Sequence, residues 1–355
     1  MIYGASGYTG RLVAALAVAR GQRPLLAGRN AGPLVALATE LGLDHRVVPL
    51  SQPDALKQAL ADVDVVAHCA GPFAVTAAPM VAACLATGTH YVDITGELPV
   101  FEAMFDRHAD AVAAGVVLLP GAGFDVVPTD CLAGLLAADL PGAVSLELAF
   151  RAGGGLSRGT ARTGLSLAAA GTLRRVDGQL RHTKLGTPSR VVPFPSGERQ
   201  VGAITWGDLV TAHRSTGIAN ITVYTRLPTG SAYHRLRTAL GQWLLRYAAA
   251  RRLAERAVAR RAPGPSPQTR AGTGTEVWGQ VRDAEGQVRS GTLVGPNAYD
   301  LTADAVVRAV GYLLAGAGPA GPIAAGAHTP ATALGPAFVS ELDGVTVSPL
   351  REPGS

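Results

Sequence analysis

The 355-residue chain has only three cysteines, Cys69, Cys84 and Cys131. An odd count at such wide spacing gives neither a disulfide framework nor a zinc pattern. It predicts a reducing, cytoplasmic setting. The eight histidines show no HxxxH or HxH spacing, so no metal is expected. Serine hydrolase chemistry is not expected either. The chain has no run of about 18 consecutive apolar residues, so no membrane-spanning helix is expected. It opens almost directly on a glycine motif, so no signal peptide is expected. No Asp or Glu occurs before Glu40.

What is present suits a folded two-domain protein. Hydrophobic residues make up 48% and charged residues 16%, enough for a sizeable core. The 44 glycines and 24 prolines fit many tight turns. A formal net charge of +5, not gathered in one tail, gives no argument for nucleic acid.

The first third alternates short apolar runs with amphipathic stretches. Strands are expected at Met1–Tyr3, Pro24–Ala27, Arg46–Pro49, Val63–Cys69, His90–Ile94 and Val116–Leu119. Helices fall between them, one of them from Pro79 to Thr87. This rhythm predicts an α/β fold of Rossmann type, a doubly wound parallel sheet. Met1–Tyr3 is short for a central strand, which usually has about 5–6 residues. After Pro120 the rhythm changes: a helix at Pro128–Ala138, a strand at Val144–Phe150, several short strands up to Tyr224 including the strand-like Trp206–Ala212, and a hairpin of Glu276–Arg282 with Gln287–Val294. This predicts a second α+β domain on a mixed or antiparallel sheet. Thr160–Ala170 and Ser231–Arg261 read as helices, and Ala262–Thr275 as a loop.

Gly4-Ala5-Ser6-Gly7-Tyr8-Thr9-Gly10 follows the first strand and opens a helix. Glycines there let a pyrophosphate approach the backbone, and the helix N-terminus offers free N–H groups to the anion. Ser6, Tyr8 and Thr9 can add donors. NAD-binding folds place an acid after the second strand, against the ribose 2′-hydroxyl. This chain instead has Gly28-Arg29-Asn30. A guanidinium there suits a 2′-phosphate, so NADP(H) is expected rather than NAD(H).

These residues resemble the saccharopine dehydrogenase-like NADP-binding family. So do Ala70-Gly71-Pro72-Phe73, the run Gly88-Thr89-His90-Tyr91-Val92-Asp93-Ile94-Thr95-Gly96-Glu97, and Gly123-Phe124-Asp125-Val126-Val127-Pro128-Thr129-Asp130. The likeness is strong to about Asp130 and looser through Gly153–Thr160 and Thr329–Gly335. It implies the fold and the NADP(H) cofactor. It places Ala70, Gly71, Pro72 and Phe73 along the ribose and nicotinamide side. It also implies that Pro296–Leu350 returns to the first domain. The expected layout is thus 1–125 for the dinucleotide domain, completed by 296–350, and 126–295 for substrate binding and dimerisation. A homodimer is expected.

Candidate catalytic acids are Asp125 and Glu97, at strand ends, and His213 in a polar run. Each has a plain structural alternative. Asp125 suits a turn, Glu97 the first turn of a helix, and His213 a polar loop. Arg158, Arg214 and Ser215 are candidate substrate contacts. Ser231–Arg261 combines an apolar stripe with eight arginines. It reads as a packed helix, a membrane-surface helix or a dock for an acidic carrier protein. The leading expectation is an NADPH-dependent reductase of a C=C (enoyl) bond in a small or carrier-bound substrate, as in the bacterial trans-acting enoyl reductases that the chain resembles. A saccharopine-type imine reductase and a non-catalytic NADP-binding sensor remain alternatives.

Overall fold

The computed structural model describes residues 1–161, 172–227, 257 and 263–350. Most of the basic stretch 231–261 and all but the start of the expected helix 160–170 lie outside the described residues. Contacts divide the chain into two units. The first joins residues 1–131 with 298–344, and the second joins 132–297 with 345–355.

The first unit is built on a seven-stranded parallel sheet. Its strands are β1 (Ile2–Tyr3), β2 (Leu26–Gly28), β3 (His45–Val47), β4 (Val65–His68), β5 (His90–Asp93), β6 (Val117–Leu119) and β17 (Gly326–Ala327). They lie in the order β17-β6-β5-β4-β1-β2-β3. The order reverses between β1 and β4, where a doubly wound sheet binds its ligand beyond the carboxyl ends. β1, β4 and β6 are buried along their whole length, as apolar strands covered on both faces should be. The helices are α1 (Tyr8–Ala19), α2 (Ala31–Leu41), α3 (Pro53–Leu60), α4 (Phe73–Thr87), α5 (Leu98–Asp106) and α6 (His108–Ala113). α7 (Val127–Asp139) follows β6 and runs from the first unit into the second.

α4 starts at Phe73, well before the expected Pro79, which lies inside it. The cause is tertiary. The Glu97 carboxylate, from after β5, accepts N–H bonds from Phe73 and Ala74 at 3.0 and 2.9 Å. That cap from another element secures a first turn that local sequence signals did not reveal.

In the second unit, β7 (Ser145–Ala152) is the central strand. It pairs antiparallel with β13 (Thr275–Arg282) and parallel with β12 (Asn220–Thr225), so the sheet is mixed. β13 and β14 (Val288–Gly295) form the expected hairpin. β18 (Thr346–Val347) extends the sheet beyond β14. One face lies so close to α7 that a Cβ on Gly279 would stand 2.8 Å from Leu136. At the far end, β10 (Ser189–Phe194) and β11 (Gly197–Ile204) curl the sheet over. Ser196 N–H reaches Glu276 on β13 at 2.8 Å, and the Arg190 guanidinium lies 4.6 Å from the Trp278 ring centre. The run Trp206–Ala212 is not a strand. It forms a 3-10 turn over Gly207–Leu209 leading into helix α8 (Thr211–Thr216). The expected loop after Ala262 contains a short helix, α9 (Pro267–Ala271), capped by Ser266.

The returning segment supplies α10 (Ala298–Ala315), β17 and α11 (Pro330–Leu334) to the first unit. Ion pairs fasten it. Asp304 on α10 is 4% exposed and meets Arg20, just after α1, at 2.6 Å and Arg308 at 2.7 Å. The same two arginines reach Asp343 at 2.8 Å each, and Asp343 N–H closes the ring on Asp304 at 2.7 Å. Burial decides which acid matters more. Asp304→Asn should cost about 1–3 kcal/mol of stability in urea unfolding. Asp343→Asn, at an exposed carboxylate, should cost less than about 1 kcal/mol. Equal losses would contradict this ranking.

Candidate functional site

The switch point is built by close backbone approach. Gly4 has φ +80°, and a Cβ on it would lie 2.7 Å from Ala70 Cβ. One on Gly10 would lie 2.4 Å from the Gly4 carbonyl oxygen. The turn from β1 into α1 therefore presses against the loop after β4. Gly7 precedes α1 with no side-chain cap. The first N–H groups of a helix have no partner within it, so those of α1 face outward for an anion. Ser6, Tyr8 and Thr9 are half-buried around this turn. No nearby atom obliges position 28 to be Gly. Gly71 and Pro72 are exposed beside the half-buried Ala70, whereas Phe73 is buried as the first residue of α4.

The loops after β5 and β6 are tied together by Asp93. Its buried carboxylate accepts Thr95 N–H at 2.9 Å, Gly121 N–H at 2.8 Å and the Tyr91 hydroxyl at 2.7 Å. Burial pushes Asp93 up to about 6 against the pull of these donors. Glu97 follows two residues after Thr95, and both its oxygens are engaged at the start of α4. That geometry gives Glu97 a capping role.

Asp125 is different. It is half-buried after β6, and among the described residues its carboxyl forms no hydrogen bond or ion pair. Burial pushes it up to about 6. It lies against Gly96, where a Cβ would come within 2.8 Å of Asp125 Oδ2. The structure thus brings Asp125 beside the Thr95–Glu97 loop, at the carboxyl end of the parallel sheet.

Beneath the loop after β4 lies His68, fully buried, and among the described residues neither ring nitrogen is bonded. Tyr3, Phe73 and Tyr91 rings surround it at 5.4, 5.5 and 6.0 Å. Burial lowers it to about 3, so it is a neutral ring in the core. Cys69, next in sequence, is pushed up to about 12 by burial and by Asp93, so it is no thiolate nucleophile. Arg29 follows β2 as an exposed guanidinium with no ion pair among the described residues. Asn30 precedes α2 without a side-chain cap.

A glycine cradle that a Cβ would fill, an uncapped helix start and a free cation after β2 fit NADP(H). Residues 1–119 match the family model for the saccharopine dehydrogenase NADP binding domain. The chain is 38% identical over 138 residues to the trans-acting enoyl reductase of Mycobacterium leprae (strain TN). It is 36% identical over the same length to that of Mycobacterium bovis (strain BCG / Pasteur 1173P2). Each match covers 37% of this chain and 33% of the relative, so it spans about a third of those proteins' length. The fold resembles apo saccharopine dehydrogenase (L-Glu forming) from Saccharomyces cerevisiae. The TM-score is 0.64 at 15% identity, over 99% of this chain and 98% of that one. It also resembles homospermidine synthase from Legionella pneumophila in complex with NAD. There the TM-score is 0.64 at 12% identity, over 98% of this chain and 90% of that one.

The remaining candidates lie in the second unit, apart in sequence from the NADP-binding domain. His213, on α8, directs Nδ1 at the Ile218 carbonyl at 2.9 Å. Ser215 Oγ donates back to the Thr211 carbonyl at 3.0 Å, and Arg214 is exposed. Arg158 is half-buried, and its backbone N–H donates to the Pro263 carbonyl at 3.1 Å. Gly155-Leu156-Ser157-Arg158-Gly159 does have the spacing of a hydrolase nucleophile elbow, contrary to the expectation that serine chemistry has no foothold. Such an elbow exposes its serine after a strand. Here Ser157 is only 5% exposed, and its Oγ accepts Thr160 N–H at 3.2 Å. It caps a helical turn.

Two outcomes test these assignments. Glu97→Gln should remove one acceptor at the start of α4 and loosen the Ala70–Phe73 loop. NADPH binding, followed by fluorescence titration, should weaken by about 1 kcal/mol, roughly fivefold. His68 bears on acid stability. Its folded pKa lies below the unfolded value, so its contribution is intact above about 6.5 and is lost as pH falls toward 3. Asp93 and Asp125, raised to about 6, act oppositely, since their protonation favours the folded state as pH falls from 6. His68→Leu should therefore flatten the acid loss of stability by up to about 1.4 kcal/mol per pH unit below 6.5. Parallel stability–pH curves for the two proteins would refute a neutral buried His68.

Proposed function

We propose that this protein is an NADPH-dependent oxidoreductase that reduces a C=C bond conjugated to a thioester, in a small or carrier-bound substrate. The observation that carries this reading is Asp125. It is a half-buried carboxyl without a partner among the described residues, raised to about 6, at the carboxyl end of the parallel sheet. The relatives called trans-acting enoyl reductases support it over the matched third. NADPH, when bound, supplies the hydride. Arg29 holds the 2′-phosphate, and the Gly4–Gly10 turn and the α1 N-terminus hold the pyrophosphate. Hydride addition at Cβ of an enoyl thioester leaves an enolate, whose Cα must take a proton. Asp125 holds that proton, and its raised pKa keeps a usable protonated fraction near neutral pH.

One observation favours a second reading, reduction of a C=N bond. Above pH 6 the Asp125 carboxyl is ionised, and a partnerless carboxylate attracts a cationic iminium. The two readings differ in sign. An acid that donates to an enolate loses activity as pH rises through 6. A carboxylate that holds an iminium gains activity over the same range.

The deciding experiment follows NADPH consumption against crotonyl thioester, a cyclic imine and a keto acid across pH 5–8. Turnover of the thioester should fall with a limb near 6, and Asp125→Asn should lower it by about 10²–10⁴-fold. Arg29→Ala should weaken NADPH more than NADH. Tight NADPH binding with no turnover on any substrate would sink the enzymatic reading and leave a nucleotide sensor.

A further inference from the structure

The loop that carries Asp125 is fixed from two sides. Upstream, Asp93 takes Gly121 N–H through its carboxylate and Ala122 N–H through its carbonyl, at 2.8 and 2.7 Å. Downstream, the anchor comes from 178 residues away. Phe124 N–H donates to Thr302 Oγ1 on α10 at 3.0 Å. Thr302 donates its own proton to the Ala298 carbonyl at 2.7 Å, which turns its lone pairs toward Phe124. Its methyl presses on Gly123, where a Cβ would come within 2.9 Å. The Gly123 carbonyl in turn accepts Val126 and Val127 N–H at 3.1 and 2.8 Å. The backbone on both sides of Asp125 is therefore held, and Thr302 holds the residue immediately before it.

One turn earlier on the same helix stands Tyr299, 8% exposed. Residues three apart share a helix face. The Tyr299 ring meets the Tyr8 ring edge-on, with centroids 5.0 Å apart and planes at 85°. Tyr8 is the first residue of α1, at the end of the glycine turn. A single face of α10 thus touches both the phosphate end of the NADP-binding domain and the loop of the candidate acid.

We infer that the first turn of α10 braces the reacting end of the domain, with Thr302 a positioning residue for Asp125 and Tyr299 a positioning residue for Tyr8. The inference deepens the proposed function and rests on its assignment of Asp125. Neither side chain handles a proton or a hydride. Thr302 keeps the Asp125 carboxyl in its poorly solvated place against Gly96. Tyr299 sets the glycine turn at the distance that a pyrophosphate needs.

The test uses the full chain labelled with ¹³C-aspartate, and Asp125→Asn assigns the Asp125 resonance. Wild type should titrate near 6 at this carboxyl. Thr302→Val keeps the shape but removes the acceptor, so the midpoint should move down toward the ordinary aspartate range. Thr302→Ser keeps the acceptor and should titrate like wild type. Tyr299→Leu should weaken NADPH severalfold in a fluorescence titration while leaving the Asp125 midpoint in place. A wild-type midpoint in Thr302→Val, a shifted one in Thr302→Ser, or wild-type NADPH affinity in Tyr299→Leu would overturn the brace. The titration needs no turnover, so the two ideas fail separately. If the shifts appear while Asp125→Asn keeps full activity, the catalytic reading falls and the brace stands. If Asp125→Asn loses activity but Thr302→Val titrates unchanged, the brace falls alone.

Discussion

Burying a carboxylate is unfavourable unless donors surround it. Asp93 sits fully buried at the end of β5 with three donors converging on it, from Tyr91, Thr95 and Gly121. The rest of the site hangs on this group. Through Thr95 it sets the loop whose Glu97 caps α4, and so the loop from Ala70 to Phe73. Through Gly121 it sets the loop that carries Asp125. One carboxylate at the end of β5 thereby ties two loops together, and the Asp93 carbonyl adds a bond from Ala122 N–H.

The domain separates two uses of acidic groups by their surroundings. Glu97 is fully bonded at a helix start, where negative charge is favoured. Asp125 has the opposite environment, with solvent partly excluded and no donor among the described residues. Sequence placed both at strand ends and left both as candidates. Hydrogen-bond geometry tells them apart, because each Glu97 oxygen takes an N–H at the start of α4 whereas the Asp125 carboxyl has no partner among the described residues.

The doubly wound parallel sheet was legible in the first 120 residues, but its strand order and seventh strand were not. Period, strand length and glycine punctuation all pointed the same way there. The cofactor type was legible as well, from Arg29 and from the absence of acids before Glu40. The second unit was read less well. Trp206–Ala212 alternates like a strand yet folds as a 3-10 turn and a helix, because a short apolar run fits either period. Pro79 misplaced the start of α4 for a related reason. The group that secures that start arrives from a separate loop.

The sequence by itself determined the NADP-binding domain: its alternating elements, its glycine turn and the cation after its second strand. These rest on local rules, namely backbone freedom at glycine, strand and helix periodicity, and the charge of one side chain. Only the tertiary structure decided which acid caps a helix and which has no partner among the described residues. It alone brought α10, almost 300 residues along the chain, onto both Tyr8 and the Asp125 loop. Those assignments depend on hydrogen bonds and ring contacts between residues far apart in sequence, and no local pattern encodes such distances.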